Sequence, residues 1–257
     1  MVCLSSTPAF VNADTSDHDR ITYWTNATGV ALITAWGAKK WDYGERSFHT
    51  KNEAWFGHNT NSGGADKLGH AYSAYALSHG LSYWYTRNNF PKEKAAIYGS
   101  LSSFALMSYM EFGDAFSDFG FSYEDFVMNG LGSALGYWLY TDTELASQID
   151  FRVEYKTSLH EADIFTDYDK LKYLFAIKFN GYSQMRRLGL KYFELHLGYY
   201  SRGYENRTDH KQRRVYVGLG LNLHELTQGH KSTRPISRLF NYLQVPETYV
   251  SHDYDIE

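Results

Sequence analysis

At Gln148 the hydrophobic period of this 257-residue chain switches from helical spacing to strict alternation. Ile149, Phe151, Val153 and Tyr155 alternate with Asp150, Arg152, Glu154 and Lys156, a two-residue repeat that sends apolar side chains to one face of a strand and charged ones to the other. The pattern recurs three times. Tyr173, Phe175, Ile177 and Phe179 are interleaved with Lys172, Ala176, Lys178 and Asn180, and Phe193, Leu195, Leu197 and Tyr199 with Glu194, His196 and Gly198. Val215, Val217, Leu219, Leu221 and Leu223 are interleaved with Arg214, Tyr216, Gly218, Gly220, Asn222 and His224. A four-stranded antiparallel meander over 148–228 follows. Gly218 and Gly220 lie inside a strand pattern, which marks a bend or a small interior face rather than a phosphate loop.

Before the switch, residues 21–38, 68–86, 95–110 and 126–141 contain no Asp, Glu, Lys or Arg. Each is at or below the ~20 apolar residues that a spanning helix needs, and each is diluted by polar residues. These stretches predict a helical bundle over 20–145. Small residues such as Gly132 and Gly136, with Gly130, Ser133 and Ala134 beside them, would let its backbones approach closely. The fold class is therefore α+β. The remaining segment, 229–257, reads as a tail with a short helix around Arg238-Leu239-Phe240 that ends before Pro246.

Two readings are open for the apolar face of the strands. In the first it packs on the helices and the charged face meets water. In the second it meets lipid, with charged and glycine positions turned inward. Aromatic residues make up 18% of the chain and include 23 Tyr, yet the mean hydropathy is -0.48. That combination suits rings held at a membrane interface, and Tyr199, Tyr200 and Tyr204 are candidates for such a position. Four strands are nevertheless too few to close a barrel on their own.

The net charge of -4 gives no nucleic-acid footprint, and protonating the 11 His would reverse its sign. A single cysteine, Cys3, excludes an intramolecular disulfide framework and any multi-Cys metal site. Residues 1–13 end in Val11-Asn12-Ala13 after a short apolar stretch and read as the tail of a signal peptide.

Polar residues that could carry chemistry concentrate over 52–75 and in the two following helical stretches. A helix starting near Ala65 puts Asp66 and His70 on one face, with Lys67 beside them. Glu111 and Asp114 form an i, i+3 pair, and Asp125 and Asn129 an i, i+4 pair. If the three helices converge, an imidazole, a lysine and up to four carboxylates meet in an apolar bundle, where burial shifts pKa values and supports acid–base chemistry. His70 would then serve as general acid or base with Asp66 orienting it, and Glu111 or Asp114 as the second carboxylate. Asp125 and Asn129 would be binding residues. Each residue also has a purely structural role open to it: Asp66 follows Gly63-Gly64 at a helix start, and Ser122 with Asp125 fits an N-terminal cap. His70 with Glu111 and Asp114 could ligate a divalent ion, but no HExxH or paired-His spacing is present, so no metal and no cofactor is assigned. The chain also has no GxSxG, P-loop or GxGxxG signature.

The blocks EAWFG, GGADKLGHAYSAY and GDAFSDFGFSYEDFVMNGLGSALGY, from about Asn52 to Tyr137, resemble the YfiM-like family of predicted periplasmic or outer-membrane lipoproteins, a domain of unknown function. A weaker likeness is to VanZ-like membrane proteins, whose Asp-Lys-x-x-His, Glu and Asp-x-x-x-Asn-Gly elements look like Asp66, Lys67 and His70, Glu111, and Asp125, Asn129 and Gly130. The chain departs from the latter at Asp114, where that pattern favours Gln. The resemblance implies a location in the bacterial cell envelope, outer membrane or periplasm, and no established reaction. Two functions are therefore expected to compete. The first is a structural or lipid-interacting envelope protein whose partner is a membrane lipid or another envelope component. The second is an enzyme acting on an envelope lipid or lipid-linked glycan.

Overall fold

The computed structural model describes residues 15–156, 167–204, 210–229 and 231–256. The expected signal-peptide tail, 1–13, lies outside them. The four uncharged stretches form the middles of four helices: α1 (Thr15–Lys40), α2 (Ala65–Arg87), α3 (Lys92–Asp114) and α4 (Tyr123–Thr141). No helix among the described residues is long and apolar enough to cross a membrane. Helices α2, α3 and α4 pack in mutual contact, and small residues set how closely they do so. A Cβ added at Gly132 would lie 2.0 Å from the Ala71 carbonyl oxygen, so α4 rests on the backbone of α2. Across the α2–α3 contact, Ser103 Oγ donates to the Ala74 carbonyl at 2.7 Å. Any side chain at Gly132 would force these helices apart.

A short helix, α5 (Thr143–Gln148), is capped by Asp142, whose Oδ1 accepts from the amides of Glu144 and Leu145 at 3.0 Å each. It leads directly into β1 (Ile149–Tyr155), where the sequence period changes. Strands β2 (Leu171–Lys178), β3 (Phe193–Arg202) and β4 (Gln212–Leu221) follow as the expected antiparallel meander. The strand number, however, is six rather than four. A short α-helix, Arg234–Ser237, runs into a 3-10 helix, Arg238–Asn241, where the sequence predicts a short helix, and the C-terminal segment then adds β5 (Leu243–Gln244), parallel to β1, and β6 (Tyr249–Asp255), antiparallel to β4. The sheet order is β5-β1-β2-β3-β4-β6. The tail is drawn in because both edges of the meander carry unpaired backbone groups, and these two strands pair with them.

The two faces of this sheet are unusual. Phe151, Val153, Leu171, Tyr173 and Tyr199 on the apolar face pack against Ala71, Tyr75 and neighbouring residues of α2. Beyond that cover the same face lies open, and Leu197, Val217, Leu219 and Val250 are exposed at 43%, 42%, 47% and 74%. The charged face, expected to meet water if the apolar face packed on the helices, is instead buried. Asp150, Arg152, Lys178, Glu194 and His196 are all nearly inaccessible. Small residues make the room: a Cβ at Gly198 would lie 2.2 Å from the Tyr216 ring, and one at Gly220 would lie 2.5 Å from His196.

Ion pairs neutralise this interior. The Arg152 guanidinium donates to Glu194 at 2.5 and 3.0 Å, to Asp150 at 2.6 and 3.2 Å and to Gln244 Oε1 at 3.1 Å. Lys178 donates to the second Asp150 oxygen at 2.6 Å, and His196 Nε2 donates to Glu194 at 2.8 Å. Tyr199, Tyr200 and Tyr204, expected at a membrane interface, also turn inward: their hydroxyls bond to the Gly63 carbonyl, to Asp253 and to the His58 carbonyl. The exposed rings are different ones. Five of the six tryptophans, Trp24, Trp36, Trp55, Trp84 and Trp138, are exposed.

Candidate functional site

Helices α2, α3 and α4 converge as the polar pairs require, and α2 supplies the centre of the cluster. Gly64 precedes its first turn with φ +91°, a left-handed conformation suited to glycine, and a Cβ there would meet the Phe56 backbone at 2.9 Å. This tight entry sets Asp66 and Lys67 in the first turn and His70 one turn later. The Ser62 hydroxyl bonds to Asp66 Oδ1 and so fixes that carboxylate.

Lys67 is almost completely buried, with its ammonium at the meeting point of three carboxylates. It lies 2.7 Å from Glu53 Oε2, 2.8 Å from Asp66 Oδ2 and 2.9 Å from Asp125 Oδ1. Burial alone would lower its pKa, but Asp66, Asp125 and Glu53 outweigh burial and raise it. Glu53 answers in the opposite sense: burial pushes its carboxyl up, and Lys67, Asp125 and Lys51 together hold it down to about 2. Lys67 therefore acts as an internal counter-ion and is not a free nucleophile. Glu53 belongs to the α1–α2 connection, which has no periodicity, and sequence reasoning missed it. Its position at the head of the EAWFG block was the available signal.

The second half of the cluster surrounds His70. Its Nδ1 donates to Asn129 Oδ1 at 3.2 Å and lies 3.3 Å from Glu111 Oε1, while Nε2 is 3.9 Å from Asp125 Oδ2. Asn129 thus fixes the ring with its Nε2 lone pair free in the neutral form, and its own Nδ2 reaches the Met107 carbonyl at 3.5 Å. Asp66, expected to orient His70, is engaged with Lys67 and Ser62 instead. Glu111 is 2% exposed, and its Oε1 accepts no hydrogen bond. Burial drives its carboxyl well above the usual range, and Asp125, Asp114 and Glu53 add to the effect.

Asp114 shares the helix face of Glu111 but takes a different partner. Burial raises it to about 7, against the hydrogen bond from Tyr43, which favours the carboxylate. The Tyr43 hydroxyl, its ring held over Gly37 and Gly113, shares its one proton between Asp114 and the Met110 carbonyl, which lies 3.0 Å away. At Ser122 the expected cap is present, with Oγ accepting from the Asp125 amide at 3.3 Å. Asp125 therefore both starts α4 and joins the cluster. The chemical content of the site is an oriented imidazole, a buried carboxyl with an unbonded oxygen, and a carboxylate shared with an ammonium.

Residues 52–141, which span this whole cluster apart from Tyr43, match the family model described as a predicted periplasmic lipoprotein (DUF2279). The match supports a cell-envelope setting and indicates no reaction. It carries neither the YfiM-like name nor the VanZ-like one. No curated protein matches the chain, and no solved structure does.

Proposed function

We propose that this protein works at the surface of a cell-envelope membrane as a peripheral, lipid-contacting component, with the outer face of β3, β4 and β6 against the lipid. One observation carries the reading: the sheet buries its charged side and leaves Leu197, Val217, Leu219 and Val250 open. In water the opposite arrangement is favoured, because exposed apolar area is costly and an ion-pair interior must be desolvated. Against lipid the same arrangement is favourable, as in outer-membrane strands. Burying a Val or Leu contributes about 1.5–3 kcal/mol, so half that gain from several such residues holds a protein on a bilayer. The exposed tryptophans fit the interfacial region, and α1 and α2 add an apolar groove lined by Ile21, Trp24, Leu81 and Trp84 with Arg20 at its margin. A lipid or another envelope component is the partner this surface suits; no nucleic-acid role is proposed.

High-salt washing of native membranes, which removes proteins held by charge alone, and flotation with vesicles test the proposal. The protein is expected to stay with the membrane and to float. Release into the aqueous fraction in both assays contradicts it.

The cluster around His70 favours a second reading, an acid–base enzyme acting on an envelope lipid or lipid-linked glycan. Here His70 Nε2 is the base, Asn129 and Glu111 position it, and Asp66, Lys67, Asp114 and Asp125 set the field around it. The supporting observation is the ring orientation: with Nδ1 donating to Asn129, the neutral imidazole carries its lone pair on Nε2, in a side chain that is 14% exposed. His70→Ala should abolish the envelope phenotype with unchanged helicity and stability; loss of phenotype only through unfolding contradicts catalysis.

A further inference from the structure

The polar cluster contains two groups of metal-ligand residues, and they differ in one respect. Glu53, Asp66 and Asp125 bring one oxygen each within 4.8 Å of the others, and so do His70, Glu111 and Asp125 with one ligand atom each. The first group already holds a cation, the Lys67 ammonium, within 2.9 Å of all three carboxylates. Nothing comparable fills the second.

Three observations point to an ion there. Glu111 Oε1 is buried, accepts no hydrogen bond, and faces His70 Nδ1 at 3.3 Å; a buried carboxylate oxygen left bare is costly. Acidic groups also outnumber the cations around it: Glu53, Asp66, Asp125 and Glu111 share Lys67 and the Lys51 ammonium, 3.1 Å from Glu53, with the His70 imidazole beside Glu111 and Asp125. His70 Nδ1 also donates to Asn129, the outer contact that commonly orients a metal-bound imidazole, which leaves Nε2, 3.9 Å from Asp125 Oδ2, as the ring's ligand atom.

We propose that His70, Glu111 and Asp125 form a binding site for a divalent first-row transition-metal ion. One imidazole with two carboxylates is a donor set suited to Zn²⁺ or Mn²⁺, whereas Ca²⁺ and Mg²⁺ favour oxygen alone. The site differs from the one the sequence suggests: Asp125 replaces Asp114, which is turned to Tyr43. This proposal does not depend on lipid contact, and its test uses no lipid.

The test is calorimetric titration of the untagged, chelator-stripped full chain with ZnCl₂ and, separately, MnCl₂, paired with thermal unfolding. One equivalent of at least one ion is expected to bind and to raise the melting temperature. Glu111→Gln should weaken binding at least tenfold and abolish the metal-dependent shift while the metal-free protein remains folded. His70→Gln, at the accessible edge of the site, provides a second variant should the first not fold. His252→Ala, on the exposed strand β6, should leave binding unchanged. Absence of binding by either ion overturns the site, as does binding that survives both Glu111→Gln and His70→Gln, which would mark an adventitious ion on surface histidines.

Discussion

The protein buries two sets of charged residues, and they are built on opposite terms. Inside the sheet, Asp150 and Glu194 are matched by Arg152 and Lys178, and each carboxylate is bound to a cation. Burial would raise the Glu194 carboxyl, but His196 and Arg152 together bring it below its usual range. Between the helices, Lys67 satisfies three carboxylates, while one Glu111 oxygen accepts no hydrogen bond and Asp114 is raised to about 7. His196 is sealed, whereas His70 has an accessible edge. The neutralised network of Asp150, Arg152, Lys178 and Glu194 fixes the polar inside of the sheet, although Glu154 Oε2 and His196 Nδ1 beside it make no hydrogen bond. The helical cluster keeps a cost that a ligand or a proton can relieve, as functional sites commonly do.

The largest expected effect tests the closed network. Arg152→Met removes the hub and leaves Asp150 and Glu194 short of charge, so urea unfolding should show a loss of about 3–5 kcal/mol. A loss under 1 kcal/mol would mean that the sheet interior is wetter and more adaptable than its burial indicates.

Next comes the pH dependence of the helical cluster. Asp114 has a folded-state pKa of about 7 against 3.8 for the free side chain. Between those values the folded state holds the extra proton, so stability falls as pH rises from about 4 to about 7 and levels off above. A decline of roughly 2–4 kcal/mol is expected from this group, and Asp114→Asn should remove it from the stability–pH curve. An unchanged slope would place the carboxyl in a more solvated setting.

The same substitution in the two regions should then give opposite signs. Glu194→Gln breaks a charge-assisted pair and should cost roughly 2–3 kcal/mol at pH 8. Glu111→Gln replaces a carboxyl whose charged form burial already disfavours and should be neutral or raise stability by about 1 kcal/mol in metal-free buffer. Equal losses at both positions would erase the distinction. The smallest stability effect belongs to the open face: Val217→Glu should change unfolding by less than about 0.5 kcal/mol while reducing vesicle flotation.

Much of the fold was legible because period survives without context. The four helices and β1 to β4 follow from uncharged stretches and strict alternation. β5 was not legible, since two residues, Leu243 and Gln244, carry no period and pair only because β1 has a free edge. β6 did carry a signal: Val250, His252 and Tyr254 alternate with Ser251, Asp253 and Asp255. Which face turns inward was beyond reach, because alternation is the same for a sheet facing water and for one facing lipid. At the candidate site, the i, i+3 and i, i+4 spacings put each polar pair on one helix face, and it is the packing of α2, α3 and α4 that brings His70, Glu111, Asp125 and Asn129 together. Glu53 and Tyr43 come from the loop between α1 and α2, where chain direction depends on tertiary contacts. Tyr43 takes Asp114, and Ser62 of the same loop together with Lys67 takes Asp66, so neither carboxylate is left for His70.

The central claim, that the outer face of β3, β4 and β6 meets lipid, is tested most directly by placing an environment-sensitive fluorophore on it. In a Cys3→Ser background, single labels at Val217→Cys and Val250→Cys should shift to shorter wavelength on adding vesicles and be quenched by lipids carrying a quencher in the acyl chain. A label at Ser251→Cys, on the opposite side of the same edge strand, should respond far less. Emission from positions 217 and 250 that stays water-like in the presence of vesicles would contradict the claim.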